Sequence, residues 1–370
     1  MKYKIAYIVS TLRRAGPTNQ LFGIIKYLDL DKFDPVIITL SPEPENSMIE
    51  QFQKLQIHVE SLNLSRLKGF IKGKGLLKKI LNKINPDLIH TQGIRPNILG
   101  NKLKGKYPHI LSLRNYPYDD YPVKFGKIMG NYMANTHYKI IREEKYSTVC
   151  SESLSEIYRE KHKLNLDYIQ NGVNTEKFYP VSKKEKLVLR KKYNIPDEKI
   201  VFISVGSLVH LKCTDLTIKA FLNFNISDDS LLLIAGEGAD RQKLEAIAGG
   251  AESIRFLGEI TNVKDYLQLS DFFISVSYSE GLPNTVLEAM ACKIPVILTG
   301  IMPHQEIAGP DYPYLIDVHN VGQLKDSMEK IVKDDYDSIG DELLQIVRTS
   351  FSAEIMSKKY QKLYLKIINE

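Results

Sequence analysis

The chain has 370 residues, 43% of them hydrophobic and 25% charged, which is enough for two domains that each bury a core. No apolar run is long enough to span a bilayer, and a strand-like segment follows the N-terminus without a secretory signal, which predicts a cytoplasmic protein. Three dispersed cysteines, Cys150, Cys213 and Cys292, with no CxxC and no histidine cluster beside them, argue against a disulfide framework or a zinc site and for packing.

In chain order, apolar runs and helical stripes alternate. The first half reads as strand 4–9, helix 18–28, strand 35–40, helices 47–54 and 76–84, and strands 87–91 and 109–113. The second reads as strand 200–205, helix 214–224, strand 231–235, helix 239–248, strand 254–257, helix 263–269, strand 272–277, helix 285–292 and strand 295–299. Such alternation predicts an α/β chain of two doubly wound parallel-sheet domains, with a cleft between them as a natural small-molecule site. A polar, proline-marked stretch after Val173, through Pro180 and Ser182, reads as the linker. The final helix, 352–369, places Ile355, Met356, Tyr360, Leu363, Tyr364 and Ile367 on one face.

The net charge of +6 conceals an asymmetry. Up to Pro180 there are 28 Lys and Arg against 17 Asp and Glu, or +11; the remainder has 22 against 27, or −5. The front half is therefore expected to face something anionic. Its basic residues are densest at Arg66, Lys68, Lys72, Lys74, Lys78, Lys79 and Lys83. Residues 76–84 form an amphipathic stripe that fits either an anionic membrane surface or a sheet-covering helix with a basic solvated face. The stretch before it, with Gly69, Gly73 and Gly75, is glycine-rich for a helix and is expected to be a mobile basic loop.

The densest chemistry lies at residues 280–288, EGLPNTVLE, between a buried strand and a short helix with Asn284 as the expected N-cap. In open parallel sheets ligands bind beyond the carboxyl ends of strands, and a helix N-terminus there favours phosphate. Glu280 on the loop and Glu288 a turn inside the helix suit two hydroxyl-rich groups flanking a phosphate, or are simply acids near a helix start, where negative charge is favourable.

Residues 280–297, EGLPNTVLEAMACKIPVI, resemble the glutamate, seven residues, glutamate motif of the family 4 retaining glycosyltransferases of GT-B type. Segments 171–178 (NGVNTEKF), 205–212 (VGSLVHLK), 233–238 (LIAGEG) and 254–258 (IRFLG) resemble further parts of that pattern in order, densely over 171–300 and thinly before. The resemblance implies an acceptor-binding domain over 1–172, a nucleotide-sugar domain over 173–350, and a closing segment, 351–370, that crosses back to the first domain. It implies that Glu280 contacts the donor sugar and Glu288 the ribose, while Lys212 and the segment Gly281, Leu282, Pro283, Asn284 and Thr285 hold the diphosphate. Ser207 stands where the family commonly has arginine, Cys213 where it has glycine, and Gly258 ends a family strand. Gly16 matches a glycine-rich loop near the donor phosphates. Arg114 replaces a histidine near the reacting carbon; it cannot act as a base but can hold a phosphate or an anionic acceptor. The aromatic, acidic stretch 116–121 is expected to be a loop at an acceptor pocket.

The function implied is transfer of a sugar, from a UDP-sugar by expectation, to a glycan or polyprenyl-linked acceptor in envelope polysaccharide synthesis, peripherally on the inner membrane face through residues 66–83. No metal, other cofactor or nucleic-acid partner is expected. Two other readings remain open at the level of sequence: a UDP-sugar 2-epimerase and a non-catalytic nucleotide-sugar-binding protein. The DxD spacings at Asp29 and Asp31 and at Asp335 and Asp337 do not follow buried strands, and Gly236-Glu237-Gly238 lacks the third glycine of a dinucleotide fingerprint.

Overall fold

The computed structural model describes residues 2–103, 105–224 and 229–370. It divides into two compact units, Met1–Gly172 with Ala353–Glu370, and Val173–Ser352.

Among the described residues, the first unit carries seven parallel strands: β1 (Tyr3–Val9), β2 (Phe33–Thr39), β3 (His58–Ser61), β4 (Leu88–Gln92), β5 (His109–Leu113), β6 (Tyr146–Val149) and β7 (Asp167–Tyr168), in the order β3-β2-β1-β4-β5-β6-β7. The order reverses between β1 and β4, where Ile5 pairs with Leu88 and Ile8 with Thr91. Helices cover both faces. On one, Leu21, Ile24, Phe33 and Phe52 pack with Ala353, Met356, Tyr360, Tyr364 and Ile367 of the helix Ala353–Asn369; on the other, Ala6, Ile38, Leu77, Leu81 and Leu99 form a second cluster. Ser357 Oγ donates to the Ile24 carbonyl at 2.7 Å, and Gly23 lets Ala353 and Met356 approach, because a Cβ there would meet both at 3.2 Å.

The helix over the second face runs Arg66–Ile84, so the expected basic loop is helical. Ser65 caps it by accepting from the Lys68 amide at 3.4 Å. The glycines serve packing: a Cβ on Gly69 would lie 2.8 Å from the Arg95 guanidinium, and one on Gly73 would lie 3.4 Å from Leu99. Close approach to the helix Ile94–Asn101 thus overrides low glycine propensity. Residues 117–125 are likewise a helix, Pro117–Phe125, and not a loop; proline at its start suits a first turn, and Tyr121 stacks in its core at 5.9 Å from His137.

The second unit carries six parallel strands among its described residues: β8 (Ile200–Val205), β9 (Ser230–Ala235), β10 (Ile254–Gly258), β11 (Phe272–Ser275), β12 (Val296–Thr299) and β13 (Leu315–Ile316), in the order β10-β9-β8-β11-β12-β13. Phe202, Leu232, Ile234, Phe272 and Ile274 alternate inward from these strands onto Phe221, Phe224 and Met328. The order reverses between β8 and β11, where Phe272 pairs with Phe202 and Phe273 with Ile203. Chains leaving the carboxyl ends of these two strands therefore emerge side by side, which is where a doubly wound sheet opens a crevice.

Candidate functional site

From β8 the chain turns through Gly206, Ser207 and Leu208 into a 3₁₀ turn, His210–Lys212, and the helix Thr214–Leu222. From β11 it passes Ser277 and Glu280 into the helix Asn284–Ala291. The Tyr278 amide donates to the Leu211 carbonyl at 2.8 Å and clips the two loops together. Lys212 Nζ meets Glu280 Oε1 as a close ion pair, and Ser277 Oγ donates to the same oxygen at 2.7 Å. These side chains line a small polar pocket with Gly206, Thr214 and Thr285.

Burial pushes the Glu280 carboxyl upward, but Lys212 and Ser277 outweigh it and hold the group below its ordinary value, as a carboxylate. Behind it, Thr299 Oγ1 donates to the Ser277 carbonyl at 2.7 Å, and His304 Nδ1 lies 2.9 Å from the Thr299 carbonyl. The His304 ring is fully buried, which lowers its pKa to about 4, so it stays neutral.

Pro283, not Asn284, is the N-cap of the helix Asn284–Ala291, and no side chain caps it. Its positive end faces the pocket beside Thr285. Glu288 lies one turn further in, outside the residues lining the pocket, and burial raises its pKa to about 7 against a smaller opposing effect of Lys177. The two glutamates therefore occupy separate environments.

Around the pocket, glycines permit close backbone approach. A Cβ on Gly236 would come within 1.8 Å of the Gly206 carbonyl oxygen, and one on Gly238 within 2.2 Å of that of Leu208. The Gly236-Glu237-Gly238 pattern thus seats one loop on another. Gly258 has φ of +70° and accepts from the Gly236 amide at 2.8 Å, which places it behind that loop and outside the pocket lining. Ser207 is exposed on the same turn.

In the first unit, Gly16 opens the helix Gly16–Lys26 after β1, and Arg114 follows β5. Arg114 Nη1 donates to Asn171 Oδ1 at 2.7 Å, whereas its Nε and Nη2 are buried without a partner among the described residues, as is Gln92 Oε1 at the end of β4. His90 stands between Tyr364 OH and Ser112 Oγ, each at 2.7 Å from a ring nitrogen. Burial first, then the charge of Arg114, drives its pKa well down.

Residues 185–346 match the family model described as Glycosyl transferases group 1. The matched residues lie within the second unit, Val173–Ser352, and the chain is a glycosyltransferase. Over 374 residues it is 24% identical to an O-antigen biosynthesis glycosyltransferase, WclY, of Escherichia coli, covering 99% of each chain. It is also 24% identical to an N,N'-diacetylbacillosaminyl-diphospho-undecaprenol alpha-1,3-N-acetylgalactosaminyltransferase of Campylobacter jejuni, covering 93% of this chain and 94% of that one. Among solved structures, Anabaena HepE in complex with UDP and glucose aligns with a TM-score of 0.82 at 15% identity, covering 98% of this chain and all of that one, a likeness of fold. The fold is GT-B, with two parallel-sheet units of Rossmann type.

Within this glycosyltransferase, Cys213 adopts φ of +49°, which accounts physically for the glycine common at that position, and it is tolerated here with its side chain buried. Ser277, Thr299 and His304 went unread in the sequence. Ser277 lies three positions before Glu280 and could have been suspected from that spacing; His304 reaches the site only through the return of β12, with no local signal. Asn171 begins the 171–178 segment, but its bond to Arg114 spans 57 positions.

Proposed function

We propose that this glycosyltransferase moves a sugar from a UDP-sugar, with retention at the anomeric carbon, onto a lipid-linked glycan in envelope polysaccharide synthesis. The observation that carries the reading is the Lys212–Glu280 pair at the carboxyl ends of β8 and β11, beside an uncapped helix N-terminus. A sugar diphosphate suits both members of the pair: its anionic oxygens suit Lys212 and the positive helix end, and its hydroxyl donors suit Glu280. Lys212 then leaves Glu280 for the diphosphate and stabilises it as the glycosidic bond breaks. The same-face attack of a retaining transfer lets the departing phosphate take the acceptor proton, so Glu280 acts as a clamp. Glu288 accepts from the ribose hydroxyls.

The base and acceptor are drawn from relatives: UDP with glucose in the Anabaena structure, an undecaprenyl diphosphate acceptor in the Campylobacter enzyme's name, and O-antigen biosynthesis in that of the Escherichia coli protein. The unpaired nitrogens of Arg114 suit an anionic acceptor group on the first unit. A peripheral position on the inner membrane face would bring that unit to such a lipid. Among the described residues no helix is long and apolar enough to cross a membrane.

Thermal shifts and slow donor hydrolysis across UDP-, GDP- and ADP-sugars test the reading. UDP-sugars are expected to give both responses; silence across the panel would refute it. Because Lys212 and the amides supply the positive charge, activity is expected to survive EDTA, and loss of turnover restored by a divalent ion would overturn the metal-free mechanism.

A further inference from the structure

The helices Pro117–Phe125 and Lys127–Glu143 form a hairpin joined by Gly126, at φ of +79°. Gly130 holds them together: a Cβ there would lie 2.4 Å from the Pro122 nitrogen, so the backbones touch. Tyr121 OH bonds to His137 Nδ1 at 2.7 Å, and Tyr118 OH donates to Asn135 at 2.8 Å. The hairpin is thus pinned along its length.

Its tip is not apolar inside and polar outside. Residues 123–129, VKFGKIM, are exposed in an unbroken run. Ile128 is 91% exposed, Tyr132 68% and Met129 56%, with Val123 and Phe125 also open. Ile128 and Tyr132 are four apart and Met129 and Tyr132 three apart, so they share one helix face. Large apolar side chains gathered on a surface mark an interaction site, whereas single ones do not. The tip itself is basic. Lys124 and Lys127 stand within the exposed run, Lys124 paired with Asp120 at 2.8 Å, and the other acids of the two helices, Asp119 and Glu143, lie away from the Gly126 turn.

We propose that this hairpin tip is the point at which the first unit seats on an anionic lipid bilayer, its apolar side chains entering the interface and its lysines meeting the headgroups. Apolar residues flanked by lysine are the composition of interfacial anchors, and Lys127 with the exposed lysines of the helix Arg66–Ile84 complements anionic lipid. The helix Arg66–Ile84 adds long-range attraction: Lys68, Lys72, Lys74, Lys78 and Lys79 are exposed, but Ile71 is its one strongly exposed apolar side chain, at 85%, among those described. Charge draws the unit in; the hairpin holds it. This deepens the lipid-linked acceptor reading, yet its test needs no turnover.

The chain has no tryptophan, so a single introduced one reports its own surroundings. Tyr132→Trp is expected to shift its emission to the blue with phosphatidylcholine vesicles containing phosphatidylglycerol, and little with phosphatidylcholine alone. Val188→Trp, at a similarly exposed position on the basic helix Lys183–Lys192, is expected to stay unshifted. Replacing Phe125, Ile128 and Met129 together by serine should lower co-sedimentation with the anionic vesicles several-fold while leaving melting temperature and UDP-sugar hydrolysis unchanged. Equal shifts at both tryptophans, or undiminished sedimentation of the triple variant, would overturn the proposal. So would a wild type that binds no vesicle but is a dimer, with the triple variant monomeric, since the tip would then be a protein interface.

Discussion

Glu280 and Glu288 share one nine-residue motif, yet their surroundings pull them in opposite directions. Glu280 is buried against Lys212 and Ser277 and is held ionised; Glu288, a turn inside the following helix, meets burial with only a smaller opposing effect of Lys177 and rises to about 7. Charge is fixed at one position and adjustable at the other. The difference teaches that the motif is two half-sites: an electrostatic one that can exchange its lysine for a diphosphate, and one that is only partly ionised near pH 7, suited to hydrogen bonding with uncharged hydroxyls.

The comparison can be broken most forcefully at the first position. Glu280→Ala is expected to lower kcat/KM for transfer by about 10³, the scale of losing a preorganised polar contact in the transition state, while circular dichroism stays native. Turnover within a few-fold of wild type would remove Glu280 from the site. Lys212→Met should weaken UDP binding, measured calorimetrically, and also cost about 1–3 kcal/mol in denaturant unfolding, because it leaves a buried carboxylate without its partner; the partial exposure of Lys212 keeps the cost below that of a fully buried pair.

For Glu288 the effect lies in pH dependence. A carboxyl whose folded pKa is raised from about 4.5 to about 7 binds more protons folded than unfolded between those values, so its contribution to stability is greatest below pH 4.5 and is lost as pH rises through 7. Glu288→Gln removes that loss. Relative to wild type it should gain about 1–3 kcal/mol between pH 5 and pH 8, and it should lose preference for UDP over 2′-deoxy-UDP. A pH-independent difference would mean that Glu288 is not held near neutrality. The smallest effect is expected from Ser207→Arg, which places the family's common charge on the exposed turn and should tighten UDP binding about three- to tenfold. An unchanged affinity would show that Lys212 and the helix amides already suffice.

The fold class was legible because central parallel strands are buried on both faces: β1, β8, β9 and β11 are short apolar runs that hardly admit another reading. Of the four edge strands only β10, read at 254–257, was legible. His58–Ser61 has an exposed or half-exposed residue at every position, Asp167–Tyr168 and Leu315–Ile316 are two residues each, and none announces itself by pattern. The glycines of the helix Arg66–Ile84 misled for a related reason, since their value lies in contacts with Arg95 and Leu99 that local propensity cannot see. In the site, Glu280, Glu288 and Lys212 were readable because each belongs to a contiguous motif, whereas the Ser277, Thr299 and His304 layer exists only once β11 and β12 lie side by side.

The helix Ala353–Asn369 puts Tyr360 and Tyr364 into the core of the unit that begins the chain. During synthesis on the ribosome that core has no way to close until some 180 intervening residues have emerged, while the second unit, contiguous in sequence, is already whole. The usual order in which domains mature from the N-terminus would then be reversed here. One apolar face of the opening sheet stays uncovered until the helix Ala353–Asn369 reaches it.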